Sequence, residues 1–210
     1  MNDLKKTIAK YLIQSNAIKL NPTNPFTWAS GLKSPIYCDN RITLSYHEVR
    51  TAIARGFVSI IQEQYPKFQI IAGVATGAIA HGILVADKIE KPFIYVRSAP
   101  KEHGLQNLIE GRIITGADVV VIEDLISTGG SSLNAVRAIR NEKMNVLGMV
   151  AIFTYGFEKA QKAFTDENCT LTTLTNYDTL IETAKEMKII SDEELSLLQQ
   201  WKQNPEEWGK

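Results

Sequence analysis

Two kinds of apolar pattern alternate along this chain. From Asp3 to Ile18, the residues Leu4, Ile8, Leu12 and Ala17 fall near helical spacing, with Asp3 placed as a cap and dipole partner at the start. Residues 21–45 break the period with three prolines and a glycine, which predicts extended or looped structure with little helix. A helical pattern returns over 47–64. Beyond it, continuous apolar runs at 69–74, 93–97, 118–123 and 146–153 are separated by helical segments at 77–90 and 131–142. Residues 170–175 read as a further strand, followed by helical segments from Asp178 and from Ser191. Glu194, three residues after Ser191, completes a capping box and marks a helix start.

Continuous apolar strands separated by helices are the pattern of parallel strands covered on both faces. The predicted fold is α/β, a doubly wound, mostly parallel sheet in a single domain over 1–210. About 46–154 would form the core sheet, and about 1–45 and 155–210 would pack together as a small cap, or hood. In such sheets ligands bind beyond the carboxyl ends of the strands.

The 210 residues suit one core, and Lys plus Arg balance Asp plus Glu at 23 each, so no basic footprint speaks for nucleic acid as a partner. The N-terminal stretch lacks the apolar core of a secretory signal, and no run approaches the ~18 apolar residues of a membrane span. A cytoplasmic protein, away from membranes, is expected. Cys38 and Cys169 stand far apart and outside any Cys/His cluster, so neither a zinc site nor a disulfide framework is indicated.

The stretch VVVIEDLISTGGSS, residues 119–132, is chemically the richest. A buried strand is predicted to end near Glu123 and a helix to begin near Ser131, leaving Asp124 to Gly130 as a loop at a ligand-binding position. Gly129 and Gly130 allow close backbone approach, while Ser127, Thr128, Ser131 and Ser132 offer hydroxyls. The helix start adds N–H groups and a positive dipole end. These parts suit a phosphate monoester. The lysine of a Walker-type loop is missing, and so is a Gly-x-Gly-x-x-Gly turn, which argues against nucleoside triphosphates and NAD.

This stretch resembles the phosphoribosyl-diphosphate (PRPP) signature of type I phosphoribosyltransferases. The resemblance implies that Glu123 and Asp124 lie by the ribose hydroxyls, where carboxylates accept hydrogen bonds and stabilise an oxocarbenium-like ring. Leu125, Ile126, Ser127, Thr128, Gly129, Gly130 and Ser131 would complete the loop that holds the 5-phosphate. Residues 95–111, YVRSAPKEHGLQNLIEG, resemble the catalytic loop of orotate phosphoribosyltransferases at Arg97, Lys101, His103 and Gly104. Arg97 and Lys101 would neutralise the diphosphate with help from His103, and Lys101, His103 and Asp124 would be the catalytic residues. In that family the loop reaches the neighbouring subunit's site, which implies a homodimer with shared sites.

Two more segments support the resemblance, which covers nearly the whole chain. Residues 26–41 keep the Ser-Gly-x-Lys-Ser-Pro core of the orotate-binding stretch at 30–35, making Tyr37, Cys38 and Lys33, together with Ser127, the implied orotate contacts. Residues 73–82 resemble the diphosphate loop, through Ala75 and Thr76. The chain departs from some members by having Ala29 and Ser98 in place of lysines, and Tyr155, Gly156 and Phe157 where an orotate-contacting arginine can stand. The implied reaction joins orotate to PRPP, giving orotidine 5-monophosphate and diphosphate, with Mg²⁺ held mainly by substrate and no dedicated protein metal cage. A purine phosphoribosyltransferase would share only the motif at residues 119–132. A PRPP-sensing regulator would carry an added DNA-binding domain, for which the N-terminal segment is too short. His47 and His81 match no functional motif and are read as surface or core residues.

Overall fold

Four β-branched residues in a row can be buried together only in a strand covered on both faces. The computed structural model, which describes residues 2–28, 31, 33–99 and 108–208, places Val119 to Ile122 in such a strand, each with no exposed surface. Side chains alternate across it: Val119 and Val121 enter one core, Val120 and Ile122 the other.

The N-terminal part comprises α1 (Asn2–Gln14), β1 (Ile18–Leu20), β2 (Phe26–Thr27), β3 (Lys33–Ser34), β4 (Ile36–Cys38) and a 3-10 helix, Asn40–Ser45. There follow α2 (His47–Gln64), β5 (Ile70–Val74), α3 (Gly77–Lys88), β6 (Phe93–Val96), β7 (Ile109–Glu110), β8 (Asp118–Ile126) and α4 (Gly130–Asn141). The chain continues through β9 (Asn145–Thr154), α5 (Glu158–Asp166), β10 (Leu171–Asn176), α6 (Tyr177–Glu186) and α7 (Asp192–Gln203). Among the described residues the main sheet runs β10-β9-β8-β5-β6-β7; its pairs are parallel except β6 with β7. The chain passes from β5 outward to β6 on one side and later to β8 on the other, so the direction of winding reverses between β5 and β8. This is the topological switch point at which open α/β sheets bind ligands.

β8 runs three residues past its predicted end at Glu123. Leu125 and Ile126 stay in the ladder because β9 is long enough to offer Phe153 and Thr154 opposite them, and buried backbone groups take such partners. The turn proper is therefore Ser127 to Gly129. β7 was absent from the sequence reading because two residues carry no measurable period.

α1 packs on α6 and β10, and α6 on α7, where the Tyr177 hydroxyl donates to the Leu198 carbonyl at 3.0 Å. Trp201, buried on α7, has ring contacts with Trp28, Tyr155, Phe157 and Tyr177, tying the N-terminal strands to the end of β9 and the C-terminal helices. The Ser191–Glu194 capping box is formed.

Candidate active site

At the carboxyl ends of β5 and β8, a cavity of about 290 Å³ is lined by Val74 to Gly77 and by residues from Glu123 to Ser132. The two acids occupy successive strand positions and both line this cavity, Glu123 being the more deeply buried. Glu123 is 5% exposed and both its oxygens are engaged. Oε1 accepts from the Asp124 N–H at 2.9 Å, and Oε2 from the Ser132 hydroxyl at 2.8 Å. Because Ser132 lies in the first turn of α4, this second bond fastens the strand to the helix across the loop. Burial, and then the charge of Asp124 beside it, push the Glu123 carboxyl well above the usual range, favouring its neutral form.

Asp124 is half-buried and lines the cavity. Its carboxylate lies directly against Gly77, the first residue of α3, so closely that a Cβ there would overlap it. Its backbone carbonyl accepts from Asn40 Nδ2 at 2.6 Å. Gly129, at φ +85°, turns the chain into α4 in the left-handed region that favours glycine. The Leu133 N–H donates to the Gly129 carbonyl at 2.9 Å, so the N–H groups of Gly130 to Ser132 precede the helix ladder, where anions bind.

Of the sequence-predicted residues, Ala75, Thr76, Glu123, Asp124, Leu125, Ser127, Thr128, Gly129 and Ser131 come together around this cavity. Ile126 is fully buried beneath it, and Gly130 is exposed at the helix start. Arg97 lines an adjoining cavity of about 370 Å³ that shares Val74, Ala75 and Ser131, with its guanidinium 3.5 Å from Glu110. The Arg97 N–H donates to the Leu108 carbonyl at 2.8 Å, extending the antiparallel β6–β7 pairing. The segment between them thus leaves and returns beside the cavity. Lys101 and His103 on that segment lie outside the described residues.

Tyr37, Cys38 and Lys33 line neither cavity. Tyr37 is 43% exposed with its ring 5.8 Å from Phe26, and Lys33 donates to Thr27 Oγ1 at 2.9 Å. Burial pushes the Cys38 thiol up, and it donates to Asn40 Oδ1 at 3.3 Å. A third cavity, of about 730 Å³, touches the loop at Ser127 and Thr128 and is walled by Trp28, Gly156, Phe157 and Lys202. Tyr155, at the position where an arginine can stand, is buried in the aromatic cluster, stacked on Phe157 at 5.4 Å.

Sequence reasoning missed Asn40, whose partner is 84 residues away and leaves no local signal. It read Ser132 as a hydroxyl for a phosphate, whereas that hydroxyl turns inward to Glu123. Among the described residues no three His, Cys, Asp or Glu side chains group to hold a metal. With one acid already hydrogen-bonded and the other open to the cavity, the donor set fits a hard cation held mostly by ligand oxygens. Among the same residues, no helix is long and apolar enough to cross a membrane.

A family model described as a phosphoribosyl transferase domain matches residues 44–187. The orotate phosphoribosyltransferase of Porphyromonas gingivalis is 56% identical over 209 residues, covering 100% of both chains. That of Enterococcus faecalis is 53% identical over 210 residues, again covering 100% of both. The crystal structure of orotate phosphoribosyltransferase from Aeropyrum pernix matches with a TM-score of 0.74 at 23% identity, over 88% of this chain and 99% of that one.

Proposed function

This chain belongs to the phosphoribosyl transferase family and has its type I fold, and from that premise we propose that it transfers the ribose 5-phosphate of PRPP to orotate, releasing diphosphate and forming orotidine 5-monophosphate for pyrimidine nucleotide synthesis. The observation that carries the reading is one cavity at the switch point, lined both by Asp124 and by the hydroxyl- and glycine-rich turn that opens α4. A sugar and its phosphate need those two surfaces side by side. The full-length likeness to orotate enzymes favours orotate as the base.

In the reaction, the C1–O bond from ribose to diphosphate breaks as the ring nitrogen of orotate bonds to C1. Thr128 to Ser131, with the N–H groups that begin α4, hold the 5-phosphate and so fix the ribose. Asp124 faces the ribose hydroxyls and opposes the positive charge that develops on the ring. Glu123 supports that side from behind, its oxygens bridging the Asp124 backbone and Ser132. Ala75 and Thr76 present backbone to the diphosphate. Arg97, Lys101 and His103 offset its growing charge. Ser127, Tyr37, Cys38 and Lys33 place orotate. Mg²⁺ carried on substrate oxygens would offset diphosphate charge, with Asp124 placed to contribute a protein oxygen.

The resemblance of residues 95–111 supports a homodimer in which each subunit's segment serves its neighbour's site. The functional reading is tested by mixing the protein with Mg²⁺, PRPP and either orotate or a purine base and following loss of the base spectrophotometrically. Orotate should disappear and purines should persist; no loss of orotate under any condition would end the reading.

A further inference from the structure

Beyond Ile122, β8 has lost its neighbour on one side: the pairing with β5 ends at Gly73 opposite Ile122, one residue before β5 itself ends at Val74. The Asp124 carbonyl, two residues on, takes its hydrogen bond instead from a side chain, Asn40 Nδ2, at 2.6 Å. Asn40 is 1% exposed and is itself held on several sides. Its Oδ1 accepts from Cys38 Sγ at 3.3 Å, and its carbonyl accepts from Thr43 Oγ1 at 2.5 Å. With the single hydroxyl proton of Thr43 committed there, the His81 ring 3.3 Å away is the donor, through Nε2. His81 belongs to α3, whose first residue, Gly77, abuts the Asp124 carboxylate. Asp124 is therefore braced through its backbone by Asn40 and bounded on its carboxylate side by α3.

We propose that Asn40 is a positioning residue: it takes the place of the missing strand partner, fixes the end of β8 at Asp124, and couples that placement to β4. The inference rests on the proposed function, which puts Tyr37 and Cys38 of β4 beside the base and Asp124 beside the ribose. Asn40 is thus the structural link between the two substrates' surfaces.

The test is steady-state kinetics on wild type, Asn40→Ala and Asn40→Asp, with calorimetric titration of PRPP and Mg²⁺ into each and thermal unfolding alongside. In both variants kcat should fall about 10- to 100-fold, as for a catalytic group displaced by about an ångström, while the KM for orotate moves less than about threefold. PRPP should bind more weakly to both. Asn40→Asp keeps the size of the side chain and an acceptor for Cys38 while replacing the donor that Asp124 needs, so it separates positioning from packing. A role in stability alone would lower the melting temperature and leave kcat and PRPP affinity intact. Either variant, folded at the assay temperature and within about twofold of wild type in both quantities, overturns the proposal. Wild-type protein that bound PRPP but consumed no orotate would instead end the orotate reading, and the PRPP affinities of the two variants would decide the role of Asn40.

Discussion

Replacing Gly77 with alanine should separate activity from stability. A Cβ at this position would overlap the Asp124 carboxylate, and the nearest atoms it meets are all in that carboxylate group. The obstructing atoms sit at the end of a side chain that can rotate, so the protein should fold and Asp124 should move. A side chain driven ~30° from its rotamer costs about 0.5–1.5 kcal/mol. The ~1 kcal/mol by which alanine exceeds glycine in a helix interior offsets only part of this, because Gly77 is the first residue of α3. The net cost is about 1 kcal/mol, which at this chain length corresponds to about 2–4 °C in Tm, so the melting temperature should change little. Activity has no such compensation: a displaced carboxylate no longer meets the ribose, and kcat should fall about 10- to 100-fold. Thermal unfolding and steady-state rates with orotate and PRPP measure both effects. A folded Gly77→Ala enzyme with kcat within about twofold of wild type would refute the claim that Asp124, held where the structure places it, serves the ribose.

Glu123→Gln should fold and become relatively more stable than wild type as pH rises. A carboxyl whose folded pKa is raised favours the folded state fully below its unfolded value, about 4.3, and that contribution is lost as pH rises through the folded value. Urea unfolding of both proteins between about pH 5 and 8 should show the gap widening, and a gap independent of pH would contradict the assignment. Trp201→Ala should cost about 3–5 kcal/mol, read from the same denaturation curves, because it removes a buried ring from the cluster joining Trp28, Tyr155, Phe157 and Tyr177. Lys101→Ala should lose turnover far more than fold, and near-normal rates with orotate and PRPP would remove that segment from the mechanism.

The alternation of apolar runs and helices was enough to predict the sheet and the end of it where the acid pair meets a cavity, because period and length survive in sequence. The acid pair and the glycine-hydroxyl turn were legible for the same reason: strand, turn and helix start are contiguous. What remained hidden depended on distance or on burial. Neighbouring carboxylates look alike in sequence, but Glu123 is buried and bonded to Ser132 while Asp124 keeps exposed surface on the cavity. Asn40 finds its partner across 84 residues, and β8 ran on past Glu123 only because β9 was there to pair with it. The closeness of Gly77 to Asp124 likewise arises from two strands meeting at the switch point, which no local pattern encodes.

Residues 123–132 are proposed to form two surfaces in tandem, one for a sugar and one for its phosphate. A crystal structure of the protein with PRPP and Mg²⁺ would show whether they do. The 5-phosphate should lie within hydrogen-bonding distance of the backbone N–H groups of Thr128 to Ser131, with the ribose hydroxyls on Asp124. A 5-phosphate seated instead against Arg97, or a ribose turned away from Asp124, would contradict it.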